Sequence, residues 1–151
     1  MAIEFRLAAS GEEHQQILQM DEVCFPLDAP PVIAGAEWFI GWDGAKPAAY
    51  CAWKTVDHDG VAAGFHYRAG VLAEYRGGAL QRQMVRLREA RMRARGLKVA
   101  VTYTDADAAV SMLNLIAEGF RPYAPTPTTT LSGLGRLGRV GFVHWRKDLG
   151  A

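Results

Sequence analysis

Ile3, Phe5 and Leu7 alternate with Glu4 and Arg6, the two-residue period of a strand with one buried face. Ser10 and Glu13 then complete an S-x-x-E capping box, which opens a helix reaching about Val23. The next stretch, Cys24-Phe-Pro-Leu-Asp-Ala-Pro-Pro31, has too many prolines for a helix or a central strand and predicts a bridging loop. Trp38 to Trp42 and Ala48 to Lys54 are aromatic-rich and β-prone, and Asp43-Gly44 between them signals a hairpin because glycine tolerates positive φ. After a polar connection, Asp57-His-Asp-Gly60, strand character resumes over Phe65 to Leu72 until Arg76-Gly77-Gly78 breaks it.

The second half starts with a helix whose Leu80, Met84, Leu87, Ala90 and Ala94 form an apolar stripe, with Gly96 as its stop. Val99, Val101 and Tyr103 alternate as a strand, and from Asp107 a second amphipathic helix sets Val110, Leu113 and Ala117 on one face before a cap at Gly119. Phe120 to Tyr123 predicts a strand. Ala124 to Arg139, rich in Pro, Thr and Gly, predicts a mobile loop or a long hairpin, and Gly141 to Trp145 a final strand. The order β-α-loop-β-β-β-α-β-α-β-β has no internal repeat and no linker. It therefore predicts one α/β (α+β) domain over residues 1–151, a mixed sheet with flanking helices.

Composition narrows the classes. At 151 residues and 50% hydrophobic, the chain can bury a core without disulfide staples. A net charge of +1 argues against a dedicated nucleic-acid binder, even though Arg82, Arg86, Arg88, Arg91, Arg93 and Arg95 crowd one helix; a solvated face is the expectation there. The opening residues lack the uninterrupted apolar core of a signal peptide and no stretch has the length of a membrane span, so a soluble, cytoplasmic protein without membrane partners is expected. Cys24 and Cys51 lie in no CxxC and have no histidine at ligand spacing, which predicts reduced thiols and no metal.

The segment most suggestive of chemistry is Val71-Leu-Ala-Glu-Tyr-Arg-Gly-Gly-Ala-Leu-Gln81, which joins a strand directly to a helix. A helix start presents unpaired N–H groups and the positive end of the helix dipole, so such a junction suits phosphate. The glycines let a ligand approach the backbone, and Arg76 adds a permanent positive charge. Neither the Walker pattern nor GxGxxG is present.

These residues resemble the pyrophosphate arm of the GCN5-related N-acetyltransferase (GNAT) superfamily, V-x-P-x-x-R/Q-x-x-G-x-G/A. Val71, Ala73, Arg76, Ala79 and Gln81 stand at its named positions, and Ser111 to Phe120 looks like the family's following helix with its Gly-Phe end. The resemblance implies a mostly antiparallel sheet with a V-shaped splay between the fourth and fifth strands. It also implies an acetyl-CoA-dependent N-acetyltransferase that transfers its acyl group directly to a primary amine, with neither metal nor covalent intermediate. Coenzyme A would then be held by Val71, Arg76, Gly77, Gly78, Ala79, Leu80, Gln81 and Arg82, with Asn114 as a further contact.

Catalytic groups are sparser. The family's frequent thiolate-protonating tyrosine falls on Leu115, and its base positions fall on Phe65 and Tyr67. Tyr67 can hydrogen-bond an amine or thiolate. His66, with an intrinsic pKa suited to a base, reaches the same side only if a bulge resets strand parity. A small-molecule or peptide amine is the implied acceptor, and oligomeric state is open, a homodimer included. A CoA-binding domain without turnover is the alternative.

Overall fold

Each element forms where local chemistry and burial agree. The computed structural model describes residues 2–124 and 142–150. β1 (Glu4–Leu7) leads to α1 (Gly11–Cys24), where Ser10 Oγ accepts the Glu13 N–H at 3.1 Å and Glu13 Oε1 accepts the Ser10 N–H at 3.0 Å. Both halves of the capping box are thus made. β2 (Glu37–Asp43), β3 (Lys46–His58) and β4 (Val61–Val71) follow, then a 3-10 turn (Ala73–Tyr75), α2 (Leu80–Ala94), β5 (Val99–Asp105), α3 (Ala109–Ala117), β6 (Arg121–Tyr123) and β7 (Phe142–Asp148).

The described residues form a seven-stranded sheet in the order β1-β2-β3-β4-β5-β7-β6. The β1–β2, β2–β3, β5–β7 and β6–β7 pairs are antiparallel, and β4–β5 is parallel. No described helix is long and apolar enough to cross a membrane. The chain divides into two compact units, one over Met1–Lys54 and Tyr67–Met84, the other over Thr55–His66 and Val85–Ala151.

In the first unit Ile17 and Met20 of α1 pack on Trp38, Ile40, Tyr50 and Ala52 of β2 and β3. Each large side chain buried in this way contributes about 1.5–3 kcal/mol. A polar knot crosses the same layer. The Asp21 carboxylate, 2% exposed, accepts the Tyr50 hydroxyl at 2.5 Å and both Nε and Nη2 of Arg68 at 2.8 Å. Arg68 Nη2 also donates to the Ala29 carbonyl at 3.1 Å, and its guanidinium lies 5.1 Å from the Phe25 ring, which ties the proline-rich bridge to β4. Tyr50 reaches Asp21 across Gly70, where a Cβ would sit 2.5 Å from the tyrosine ring.

The second unit is organised around Glu89 of α2, 1% exposed, whose Oε1 accepts Lys147 Nζ of β7 at 2.7 Å. Met92 packs on Gly64 in the same layer. α2 and α3 each end in a left-handed glycine: Leu97 N–H bonds the Met92 carbonyl beyond Gly96, and Phe120 N–H bonds the Leu115 carbonyl beyond Gly119.

Four expectations change. Asp57 and His58 belong to β3, and the turn is reduced to Asp59-Gly60 with φ of 53° and 82°, the two left-handed residues that a tight hairpin requires. The buried stripe of α2 runs through Leu80, Met84, Arg88, Glu89 and Met92, whereas Ala90 and Ala94 are exposed. Arg88, 4% exposed, is thereby removed from the solvated arginine face. On α3, Val110 and Leu113 are 74% and 64% exposed, and Leu115 is the residue that the helix buries. The final strand extends to Asp148, and the loop or hairpin expected over Ala124 to Arg139 lies outside the described residues from 125 onward.

Removing Asp21 strands a half-buried guanidinium and a buried phenol. Asp21→Ala is therefore expected to cost about 3–5 kcal/mol of unfolding free energy in urea titration, well beyond an exposed carboxylate such as Glu22→Ala. A loss under 1 kcal/mol would show that the knot is not structural.

Candidate functional site

β4 pairs with β5 at Gly64↔Ala100 and Phe65↔Val101, and the ladder ends there although the strands continue to Val71 and Asp105. At the point of release Thr102 Oγ1 donates to the His66 carbonyl at 3.1 Å, so a side chain replaces the next rung. Tyr67 packs against the cluster that holds Ile17 and Met20 of α1, and the adjacent Arg68 reaches Asp21 of the same helix. Two consecutive residues that serve one layer mark a break in the alternation of β4, as a β-bulge supplies. Earlier on the strand, Gly64 and His66 meet Met92 and Glu89 of α2.

This reset divides the two candidate catalytic residues. The Tyr67 ring meets Trp38 edge-on at 5.9 Å, and its hydroxyl accepts the Val32 N–H at 2.9 Å from the proline-rich bridge. Lys54 Nζ stands 4.2 Å from the centre of the same ring, and burial lowers the pKa of that ammonium. His66 meets different partners. It is 5% exposed, its ring meets Phe120 edge-on, and its Nε2 lies 3.5 Å from Glu89 Oε2, too far for a strong hydrogen bond. Burial, with Arg88 acting in the same direction, pushes its pKa down to about 4, so the ring is neutral at pH 7. Burial opposes ionisation of Glu89, yet its carboxyl is held below the usual range, and we attribute this chiefly to the 2.7 Å bond from Lys147.

Beyond Val71 the chain turns sharply into α2, and several contacts brace the turn. The Leu72 N–H donates to the Ala48 carbonyl at 3.0 Å, the Tyr75 hydroxyl to Asp43 Oδ2 at 2.8 Å, and Lys46 Nζ to Glu74 Oε2 at 2.9 Å. Burial, reinforced by Asp43, raises the Tyr75 pKa. Arg76 Nε donates to the Val71 carbonyl at 3.0 Å, and the half-buried Cys24 thiol points at the same oxygen at 3.7 Å. Burial pushes the Cys24 pKa up against the opposing influence of Arg76. Arg76 is thus a turn former as well as a charge.

Gly77 and Ala79 adopt φ of 84° and 63°, and the Ala79 carbonyl accepts the first helical bond from the Gln83 N–H at 3.2 Å. Left-handed residues at this point gather successive N–H groups into a concave anion-binding arrangement. The backbone N–H groups of Gly77, Gly78, Ala79, Leu80 and Gln81 have no backbone partner among the described residues. A hollow of ≈ 310 Å³ adjoins them, lined by Glu74, Tyr75, Arg76, Gly77, Gly78 and Leu80, among others. Leu80, 6% exposed, anchors the first helical turn, while Arg82 on it is exposed and Gln81 half-buried. Asn114 is half-buried on α3, with its backbone carbonyl accepting the Glu118 N–H at 3.1 Å.

The amide cluster was legible from Gly77-Gly78 before a helical stripe. The Asp21–Arg68 pair was not, because its members are 47 positions apart and neither sits in a motif. Nor does local sequence mark the left-handed conformation of Ala79, for which glycine would be the usual signal.

No protein-family model matches the sequence, and no curated protein is significantly similar to it. Solved structures do resemble the fold. A Bacillus subtilis acetyltransferase in complex with CoA is 12% identical with a TM-score of 0.74, over 97% of this chain and 99% of that one. A GNAT-family acetyltransferase from Staphylococcus aureus is 8% identical with a TM-score of 0.74, over 99% and 100%. A chain of the NatC complex bound to Gag peptide and CoA is 14% identical with a TM-score of 0.76, also over 99% and 100%. At such identities the likeness establishes the fold.

Ala79 holds a left-handed conformation that costs an L-residue energy and glycine none. Ala79→Gly is expected to raise unfolding free energy by about 0.5–1 kcal/mol, read as a higher urea midpoint at unchanged slope. A lower midpoint would mean that the turn is not strained at this position.

Proposed function

We propose that this chain, which has the fold of the GCN5-related N-acetyltransferases, transfers an acetyl or other acyl group from a coenzyme-A thioester to a primary amine of a small molecule or peptide. The observation that carries the reading is the cluster of backbone N–H groups from Gly77 to Gln81, set at the start of α2 and backed by the dipole of that helix. Such a cluster fits a pyrophosphate, and we assign Gly77, Gly78, Ala79, Leu80 and Gln81 to that contact, with Arg76 and Arg82 adding charge. Val71, at the end of the released stretch of β4, is assigned to the pantetheine arm, and Asn114 is retained as a cofactor contact.

The chemistry requires nucleophilic attack by a neutral amine on the thioester carbonyl, cleavage of the C–S bond, and net movement of one proton from nitrogen to sulfur. Tyr67 is the side chain we assign to that proton, as a hydroxyl held in place by the Val32 amide. His66, buried against α2, has no direct role in this scheme. One observation favours a second reading. Leu115, at the position where the resemblance calls for an acid, is 7% exposed and offers no proton, as in a domain that binds coenzyme A without turnover.

A Cβ on Gly78 would meet only the Tyr75 carbonyl, at 3.6 Å, so Gly78→Asp leaves room for its side chain while placing a carboxylate among the amides. By calorimetry it is expected to weaken acetyl-CoA binding at least tenfold without lowering the melting temperature by more than a few degrees. Unchanged affinity would sink the assignment of the turn. For turnover, thiol release from acetyl-CoA is measured over a panel of primary amines. Tyr67→Phe is expected to reduce kcat about 100-fold with acetyl-CoA affinity intact. Saturable binding by the wild-type protein, with no amine acetylated, would favour the non-catalytic reading.

A further inference from the structure

Lys54 of β3 lies in the compact unit that also carries Tyr67 and the turn from Val71 to Gln81. Its Nζ stands 4.2 Å from the centre of the Tyr67 ring, whose face attracts a cation through its quadrupole. The surroundings hold that ring in place. Trp38 meets it edge-on, the Val32 N–H donates to its hydroxyl, and Trp38 Nε1 donates to the Ile33 carbonyl at 3.0 Å, so the proline-rich bridge is tied to both aromatic side chains.

What this platform lacks is an anion. Lys46, Arg68, Arg86 and Lys147 each meet a carboxylate, at 2.9, 2.8, 2.8 and 2.7 Å, but among the described residues no carboxylate lies within ion-pair distance of Lys54. Glu37, across from Trp53 in the β2–β3 register, accepts the Trp53 indole N–H at 2.9 Å instead. Burial lowers the Lys54 pKa, and no neighbouring charge opposes it. Taking a cation out of water without a counter-charge is costly, and a ring face offsets only part of that cost. Half-buried rather than enclosed, Lys54 can still be reached by a solute.

We infer that Lys54 binds a carboxylate of the acceptor, and that the acceptor is a compact amino acid whose amine and carboxylate are only a few bonds apart. The compactness follows from Tyr67, whose ring faces Lys54 and whose hydroxyl is the group assigned to the transferred proton. Both ends of the acceptor thus engage one side chain and its immediate neighbour. A simple alkylamine has no group for Lys54, and the terminal carboxylate of a long peptide is remote from its amine. As an assignment of acceptor class this rests on the acyltransferase reading, but the carboxylate contact itself requires no coenzyme A.

The test therefore starts without the donor. Lysine side-chain carbon NMR spectra of the wild-type protein are recorded during titration with glycine and, separately, with glycinamide, which keeps the amine and replaces the carboxylate by a neutral amide. Glycine is expected to shift the Lys54 resonance saturably, and glycinamide to leave it unmoved. By calorimetry, Lys54→Met, which keeps an unbranched stem against Tyr67 but removes the charge, is expected to weaken glycine binding by about tenfold or more, while Lys54→Arg retains it. No shift with glycine, equal shifts with both probes, or unchanged glycine affinity in Lys54→Met overturns the site. If glycine and glycinamide are acetylated with equal kcat/KM, the inference fails while the acyltransferase reading stands. If Lys54 responds to glycine but acetyl-CoA does not bind, the carboxylate contact stands and that reading fails.

Discussion

The carboxylate of Asp21 sets the order of the unit that carries the candidate donor turn. Buried in the layer between α1 and the sheet, it holds the Tyr50 hydroxyl and both sides of the Arg68 fork, and through Arg68 it fixes the carbonyl of Ala29. One ionised group thereby connects α1, β3, β4 and the proline-rich bridge. Tyr67, next to Arg68, packs against the same layer, and the bridge supplies the Val32 amide to its hydroxyl.

From that fixed strand the turn into α2 follows as a series of local constraints. Val71 ends β4 with its carbonyl accepting Arg76 Nε, the 3-10 turn is pinned to the β2–β3 hairpin through Tyr75 and Asp43, and two left-handed residues place the helix start. These contacts consume side-chain donors and leave main-chain N–H groups outward. The amide cluster that we propose for the anion results from how the turn is braced, and the cationic side chains near it are secondary in that proposal. Arg76 illustrates the point, since its Nε serves the turn's own geometry.

The second unit uses charge differently. Glu89 is buried on α2 and matched by Lys147 from β7, with Arg93 one helical turn away at 3.8 Å. Buried ionic groups of this kind are costly unless matched, and they fix which face of the helix points inward. His66, kept neutral beside them, completes the packing. By contrast, the buried atoms His58 Nδ1, Tyr123 Oη and His144 Nε2 have no hydrogen-bond partner among the described residues.

The order of elements, the capped start of α1, the hairpin after Asp43 and the strand–glycine–helix junction were legible in the sequence because each depends on residues within a few positions of one another. Capping, turn chemistry and hydrophobic period are local properties. Local reasoning failed where burial contradicted polarity. Arg88 read as solvent-facing, and Val110 and Leu113 as buried, yet the inward face of a helix is chosen by the partners that distant strands supply. The placement of Arg68 turned on Asp21, a residue far away in sequence. The sequence by itself determined the elements and the existence of a strand–glycine–helix turn. Only tertiary structure decided which side chains stand beside it, because a single bulge and a few buried ion pairs assign each residue to a face.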